Sequence, residues 1–272
     1  SVTGNADLTG GTLNMNGSTG TSTLNVAGNF TQTADNTFTR TSTGAGTVVC
    51  NGTAAQIFTV SNGIPAGTNL TISNTTGVAL GSNIPSLSGT LRMNASAKLN
   101  LGDYSIVSTG TVYLYGSSSV IQGNGSLTLG PTLTTSAGTA PTISCPVILG
   151  TDCNFTGTGN AIISGVISGD YSITKTGTGV FALKAANTYT GATNITAGAI
   201  NIQNASALGS MVGVTTVSSG GVLQLQGGIT YDAEPLTIAG TGVGSTGALR
   251  NMSGTNTWTG TVNLSAASMI YS

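Results

Sequence analysis

The sequence predicts an all-β chain wound into a right-handed parallel β-helix. Three observations carry that expectation. Short apolar-x-apolar pairs recur along the whole chain, each closed by Gly or Asn. Alternation with period two puts one face of such a segment inward and the other outward. Charged residues are only 5% of the 272, and no segment carries the 3.6-residue periodicity of an amphipathic helix.

The pairs run in order as Leu13/Met15, Leu24/Val26, Leu70/Ile72, Leu99/Leu101 and Leu127/Leu129, then Phe181/Leu183, Ile200/Ile202, Leu223/Leu225, Leu236/Ile238 and Val262/Leu264. Two inward residues are too few to hold an ordinary open sheet together. Stacked on like neighbours they suffice, because each coil of a solenoid needs only the coils beside it. At roughly 20 residues per coil the chain makes about 13 coils, and at ~4.8 Å per coil a rod of about 60 Å. Gly and Asn suit the corners, where positive φ is needed, and Thr and Val suit the flat faces. A β-sandwich would need longer strands and more aromatic residues than the 5% present.

A single solenoid over 1–272 is expected, with looser repeats over 1–130 and sharper ones over 142–272. A net charge of −1 and six scattered basic residues argue against nucleic acid, which needs clustered Lys and Arg. No apolar run reaches the ~18 residues of a membrane helix, so no membrane insertion is expected in this segment. The chain opens on SVTGNAD, which reads as a mature or excised piece of an exported product.

Chemistry has little to work with. There is no His, hence no imidazole base, and no C-x-x-C pair for zinc. No catalytic, cofactor or metal residue is assigned, no cofactor is expected, and the chain is read as a non-enzyme. Cys145 and Cys153 are near enough in sequence to bridge across one turn, the plainer reading being small core residues. Asp152 and Asp170 lie 18 residues apart, close to one coil, and could stack as a sugar-cleaving pair; two corner carboxylates are the simpler reading. The T-x-T runs at Thr31, Thr37 and Thr255 could present hydroxyl rows, but their spacing is irregular. Tyr104, Tyr113 and Tyr115 are the candidates for glycan contact.

The segment Gly169–Gly209 is the most regular. It holds Lys175, Gly177 and Gly179, then Leu183, the run Asn187-Thr188-Tyr189-Thr190-Gly191, Thr193, Ile195, Gly198 and Ile200, closing on Ala207-Leu208-Gly209. It resembles the autotransporter-associated β-strand repeat, also called the passenger-associated transport repeat. Phe181 stands where that family usually has Leu, and Ala185 where Gly is usual. The resemblance implies a β-helical passenger at the bacterial cell surface or secreted from it, in which the repeat serves export and stacking rather than catalysis. Looser likeness to giant repetitive bacterial surface proteins runs over 69–107 and 233–264.

The expected function is therefore an extracellular structural or adhesive solenoid. Strand-like sequence at both ends predicts open edges and end-to-end assembly with copies of itself into a filament. Surface glycans or other cells are the further partners expected. A glycan-active β-helix enzyme and an ice- or carbohydrate-binding module are the alternatives.

Overall fold

The computed structural model describes residues 1–8, 11–15, 21–41, 44–138 and 140–272. The chain is a parallel β-solenoid with three faces. Among the described residues the first face is a sheet of 12 strands, from Ser22–Val26 to Val262–Ser268, and the second a sheet of 13, from Ala6–Leu8 to Ile270–Tyr271. The third face is broken. Five strands stack there, from Ile84–Leu87 to Ile167–Ser168, and two short pairs take the same place in the coil order near the ends, Thr12–Met15 on Thr37–Arg40 and Thr230–Tyr231 on Thr257–Trp258. Among the described residues the one helical element is a 3-10 turn at Val243–Ser245.

The register gives the coil length. Leu70, Leu91, Val112 and Leu133 pair in succession at 21-residue steps. The step is 20 from Ile173 to Thr193 and 26 from Leu236 to Val262. Both main sheets run unbroken through 130–142, where the texture of the sequence changes.

Each predicted apolar pair reports to a ladder. On the first face one inward row runs Val48, Leu70, Leu91, Val112, Leu133 and Phe155, then Lys175, Ile195, Val217 and Ile238. All of these are buried. The second face answers with Leu99, Ile121, Ile143, Ile163, Leu183, Ile202 and Leu225. Burying each such aliphatic contributes roughly 1.5–3 kcal/mol, and the rows merge into one continuous core. The first-face row runs on to Leu264, the partner of Ile238, which is 57% exposed.

The geometry bears on three alternatives that the sequence left open, and in each it follows the plainer reading. The Cys145–Cys153 bridge is absent: both are free thiols, as is Cys50. Cys145 sits before the third-face strand Val147–Leu149 and Cys153 opens the first-face strand Cys153–Gly157, so each thiol fills the core at its own place in the coil. Burial pushes the Cys50 and Cys153 thiols up to about 12 and that of Cys145 to about 11. Asp152 and Asp170 do not stack, because the coil here is 20 residues and not 18: Cys153 pairs with Ile173, which sets Asp152 beside Ser172. Their carboxylates serve the next coil instead. Asp152 accepts the Ser172 N–H at 2.9 Å and Asp170 the Thr190 hydroxyl at 3.2 Å. The T-x-T runs picked from sequence fall on different faces, Thr31 in the second-face strand Phe30–Gln32 and Thr37 in the third-face strand Thr37–Arg40.

Candidate functional site

The motif of residues 169–209 winds through two coils, and its polar side chains point mostly into the rod. Lys175 occupies a core position between Phe155 and Ile195 in the inward row. It is fully buried, its Nζ donates to the Gly177 carbonyl, and the ammonium lies 5.1 Å from the Phe181 ring centroid. Loss of hydration lowers its pKa to about 8.

Asn187 replaces a missing strand. The third face is irregular over 184–192, and its backbone meets the coil before only at intervals, Thr188 N–H donating to the Ile167 carbonyl and Thr190 N–H to the Gly169 carbonyl. The Asn187 side chain fills the gap in both directions: its Oδ1 accepts the Ile167 N–H at 2.8 Å in the coil before, and its Nδ2 donates to the Ala207 carbonyl at 2.6 Å in the coil after. One planar amide offers a donor and an acceptor at once, which explains why Asn is the residue used. Tyr189 is wholly buried beside it, its hydroxyl 2.7 Å from Thr193 Oγ1. One coil on, the inward Thr215, partner of Thr193, donates at 3.0 Å to the buried Glu234. Burial raises the Glu234 carboxyl to about 7, against the pull of that hydrogen bond. Glu234 also lines a cavity of about 10 Å³ with Tyr231, Asp232 and Trp258, room for about one water.

The motif glycines mark close approaches between coils. A Cβ on Gly179 would stand 1.8 Å from the Gly159 carbonyl oxygen. Gly198 has φ +64°, and its Cβ would stand 2.2 Å from the Gly177 oxygen. The spacing K-x-G-x-G is thus met by backbone on the neighbouring coils and leaves no room for side chains.

Function at the surface falls to other residues. Register assembles two outward rows on the first face that are invisible without it. One runs Thr132, Asn154, Thr174, Asn194, Thr216 and Thr237. The other, two residues further along each strand, runs Thr134, Thr156, Thr176, Thr196 and Ser218, the last three following from the bonds of their N–H groups to the Phe155, Lys175 and Ile195 carbonyls. All are partly or largely exposed, and no charged residue interrupts either row. The signal in sequence was a [TN]-x-[TS] at each coil, obscured by steps that vary between 20 and 22 residues.

Of the three tyrosines, two come together. Tyr113 and Tyr115 meet edge to face with centroids 5.7 Å apart, and the Arg92 guanidinium lies 4.9 Å and 4.3 Å from their rings. Tyr113 heads the second outward row, paired with Thr134. Tyr104 lies elsewhere, between the second-face strand Lys98–Asn100 and the third-face strand Ile106–Ser108.

Fold and motif define the class: a parallel β-solenoid, one stretch of which carries a repeat with a polar core. Comparison with known proteins agrees. Residues 173–202 match the passenger-associated-transport-repeat family, so the chain carries this autotransporter repeat. Over 171 residues it is 29% identical to the Adhesin BmaC autotransporter of Brucella suis biovar 1 (strain 1330), an alignment covering 56% of this chain and 4% of that protein. The chain thus spans a small fraction of this relative's length. No solved structure matches the chain significantly.

Proposed function

We propose that this chain is a structural and adhesive stretch of a bacterial passenger, secreted or held at the cell surface, with no catalytic role. One observation carries the reading: the polar residues of the repeat motif (Lys175, Asn187, Tyr189) are turned inward, Asn187 bonding to the coils on both sides and Lys175 and Tyr189 bonding within their own coil. A motif spent on stacking serves length and rigidity, and leaves the outer faces free to vary for contact. The likeness to an autotransporter adhesin supports the same role.

The finer part of the proposal is assembly with copies of itself, end to end. The coil holding Leu264 and Ile270 extends the core rows beyond their buried partners Ile238 and Leu249, and these two side chains are 57% and 59% exposed. A further coil seated there, from the same passenger or from a second copy, would bury them and pair the strand edges. A net charge of −1 opposes such contact little. Electron microscopy of the purified chain across concentrations tests this. Filaments several times longer than the ~60 Å rod, lost in Leu264→Glu, are expected; single rods at every concentration overturn the assembly, and failure of cells displaying the chain to attach to any surface overturns the adhesive role.

A further inference from the structure

We infer that the first face binds a linear, uncharged β-1,4-linked polysaccharide laid along the rod axis. The inference rests on the adhesive reading and names its ligand.

The geometry is that of a rail. Parallel coils place equivalent side chains ~4.8 Å apart along the axis. The outward row repeats Asn154, Thr174, Asn194 and Thr216, alternating amide and hydroxyl over four coils. Its pattern therefore closes every two coils. A β-1,4-linked chain has the same symmetry, because successive rings flip and identical edges return at every second sugar. Asn194 offers a donor and an acceptor in one plane, a match for neighbouring sugar hydroxyls; Asn154, whose Oδ1 accepts the Thr176 hydroxyl at 2.7 Å, offers its Nδ2 donor, and each Thr offers one hydroxyl between them. The second row backs the first with hydroxyls.

The absence of charge in both rows chooses among polymers. A polyanion needs several Lys or Arg along its track, as phosphate backbones do; this track has none between Thr132 and Ser218, and its one cation, Arg92 at the tyrosine end of the row, lies over the Tyr113 and Tyr115 rings. The Asn side chains, longer than Thr, also make the face uneven from coil to coil, which suits a polymer with repeating edges better than a flat ice plane.

The aromatic pair adds an independent argument. Tyr115 is 44% exposed and stands with Tyr113 at one end of the rail, on the same face. Arg92 sits over both rings and fixes them. A rigid tyrosine face beside a row of hydroxyls and amides is how a protein holds a sugar ring, by its apolar C–H face and its polar rim together.

The test is sedimentation of the purified 272-residue chain with crystalline cellulose, chitin, heparin-agarose and ice, beside Tyr115→Ala, the double variant Thr174→Lys/Asn194→Lys, and the opposite-face control Lys98→Ala. Matching thermal melts show that the outward substitutions leave the fold intact. Binding to cellulose or chitin, weakened about tenfold or more by Tyr115→Ala and by the Lys pair and unchanged in Lys98→Ala, supports the inference. Binding to neither neutral polymer, preference for heparin, retention on ice alone, or polysaccharide binding indifferent to these substitutions overturns it. Cells that adhere through the chain while the polysaccharides stay bare sink this inference and leave the adhesive reading standing.

Discussion

Replacing Asn187 by Ala removes a buried side chain that ties three coils together. Two buried backbone groups lose their partners: the Ile167 N–H, now 2.8 Å from Oδ1, and the Ala207 carbonyl, now 2.6 Å from Nδ2. Asn187 is 4% exposed, so water has little access to replace it. Each orphaned group costs about 1–3 kcal/mol, giving roughly 2–6 kcal/mol for the pair. The companion substitution is Asn194→Ala in the next strand. That amide stands on the outer row, and its loss is expected within about 0.5 kcal/mol. Urea unfolding, with hydrogen exchange read on peptides over 160–210, separates the two. Asn187→Ala should lower stability and speed exchange at Ile167, and Asn194→Ala should do neither. Equal, small effects from both variants would refute the claim that the motif is spent on stacking.

Further outcomes follow from the buried charges and the close backbone contacts. Lys175 has a folded pKa of about 8, below its usual 10.5, so the unfolded chain binds more protons between those values and stability rises with pH across that window. Lys175→Met should flatten the rise and stabilise the rod at neutral pH by ~1–2 kcal/mol, the released burial penalty set against the lost bond to Gly177; melts from pH 7 to 11 read both. Glu234 has the opposite sense. Its folded pKa of about 7 lies above the usual 4.5, so its neutral form favours the fold below pH 4.5 and that contribution fades as pH rises through 7. Glu234→Gln should remove the fade, measured by melts from pH 4 to 8. Gly179→Ala drives a methyl to within 1.8 Å of the Gly159 oxygen, and a loss of about 1–3 kcal/mol is expected on denaturant unfolding.

The architecture was legible because its signal is local. A pair such as Leu70/Ile72 or Ile200/Ile202 declares its inward face by alternation alone, and the weak charge permits like residues to stack. What depends on register was not legible. Coil steps vary from 19 to 28 residues, so neither the offset of Asp152 from Asp170 nor the Thr/Asn rows could be placed by counting. Nor could counting choose between a Cys145–Cys153 bridge and two core thiols: eight residues apart in sequence, one precedes a third-face strand and the other opens a first-face strand. Lys175 was hidden by its chemistry, since a charge in an inward row contradicts the pattern that identifies the row. The glycines around it did carry a readable message, for K-x-G-x-G asks for backbone pressed on backbone, and the neighbouring coils supply it. Of the tyrosine candidates, Tyr113 and Tyr115 were joined by strand alternation, while Tyr104 was grouped with them by sequence nearness only.

The central claim is that the repeat stacks at a 20-residue step with its outer row in register. A cysteine pair tests it most directly. Thr174 and Asn194 are ladder partners with side chains on the outer face, and neighbouring strands ~4.8 Å apart lie within the span a disulfide can bridge. The native thiols are buried and, with raised pKa values, slow to compete. Under mild oxidation Thr174→Cys/Asn194→Cys should crosslink in nearly every molecule without loss of stability, and Thr174→Cys/Ala192→Cys should stay reduced. Crosslinking in the shifted pair, with the register pair left open, would contradict the account.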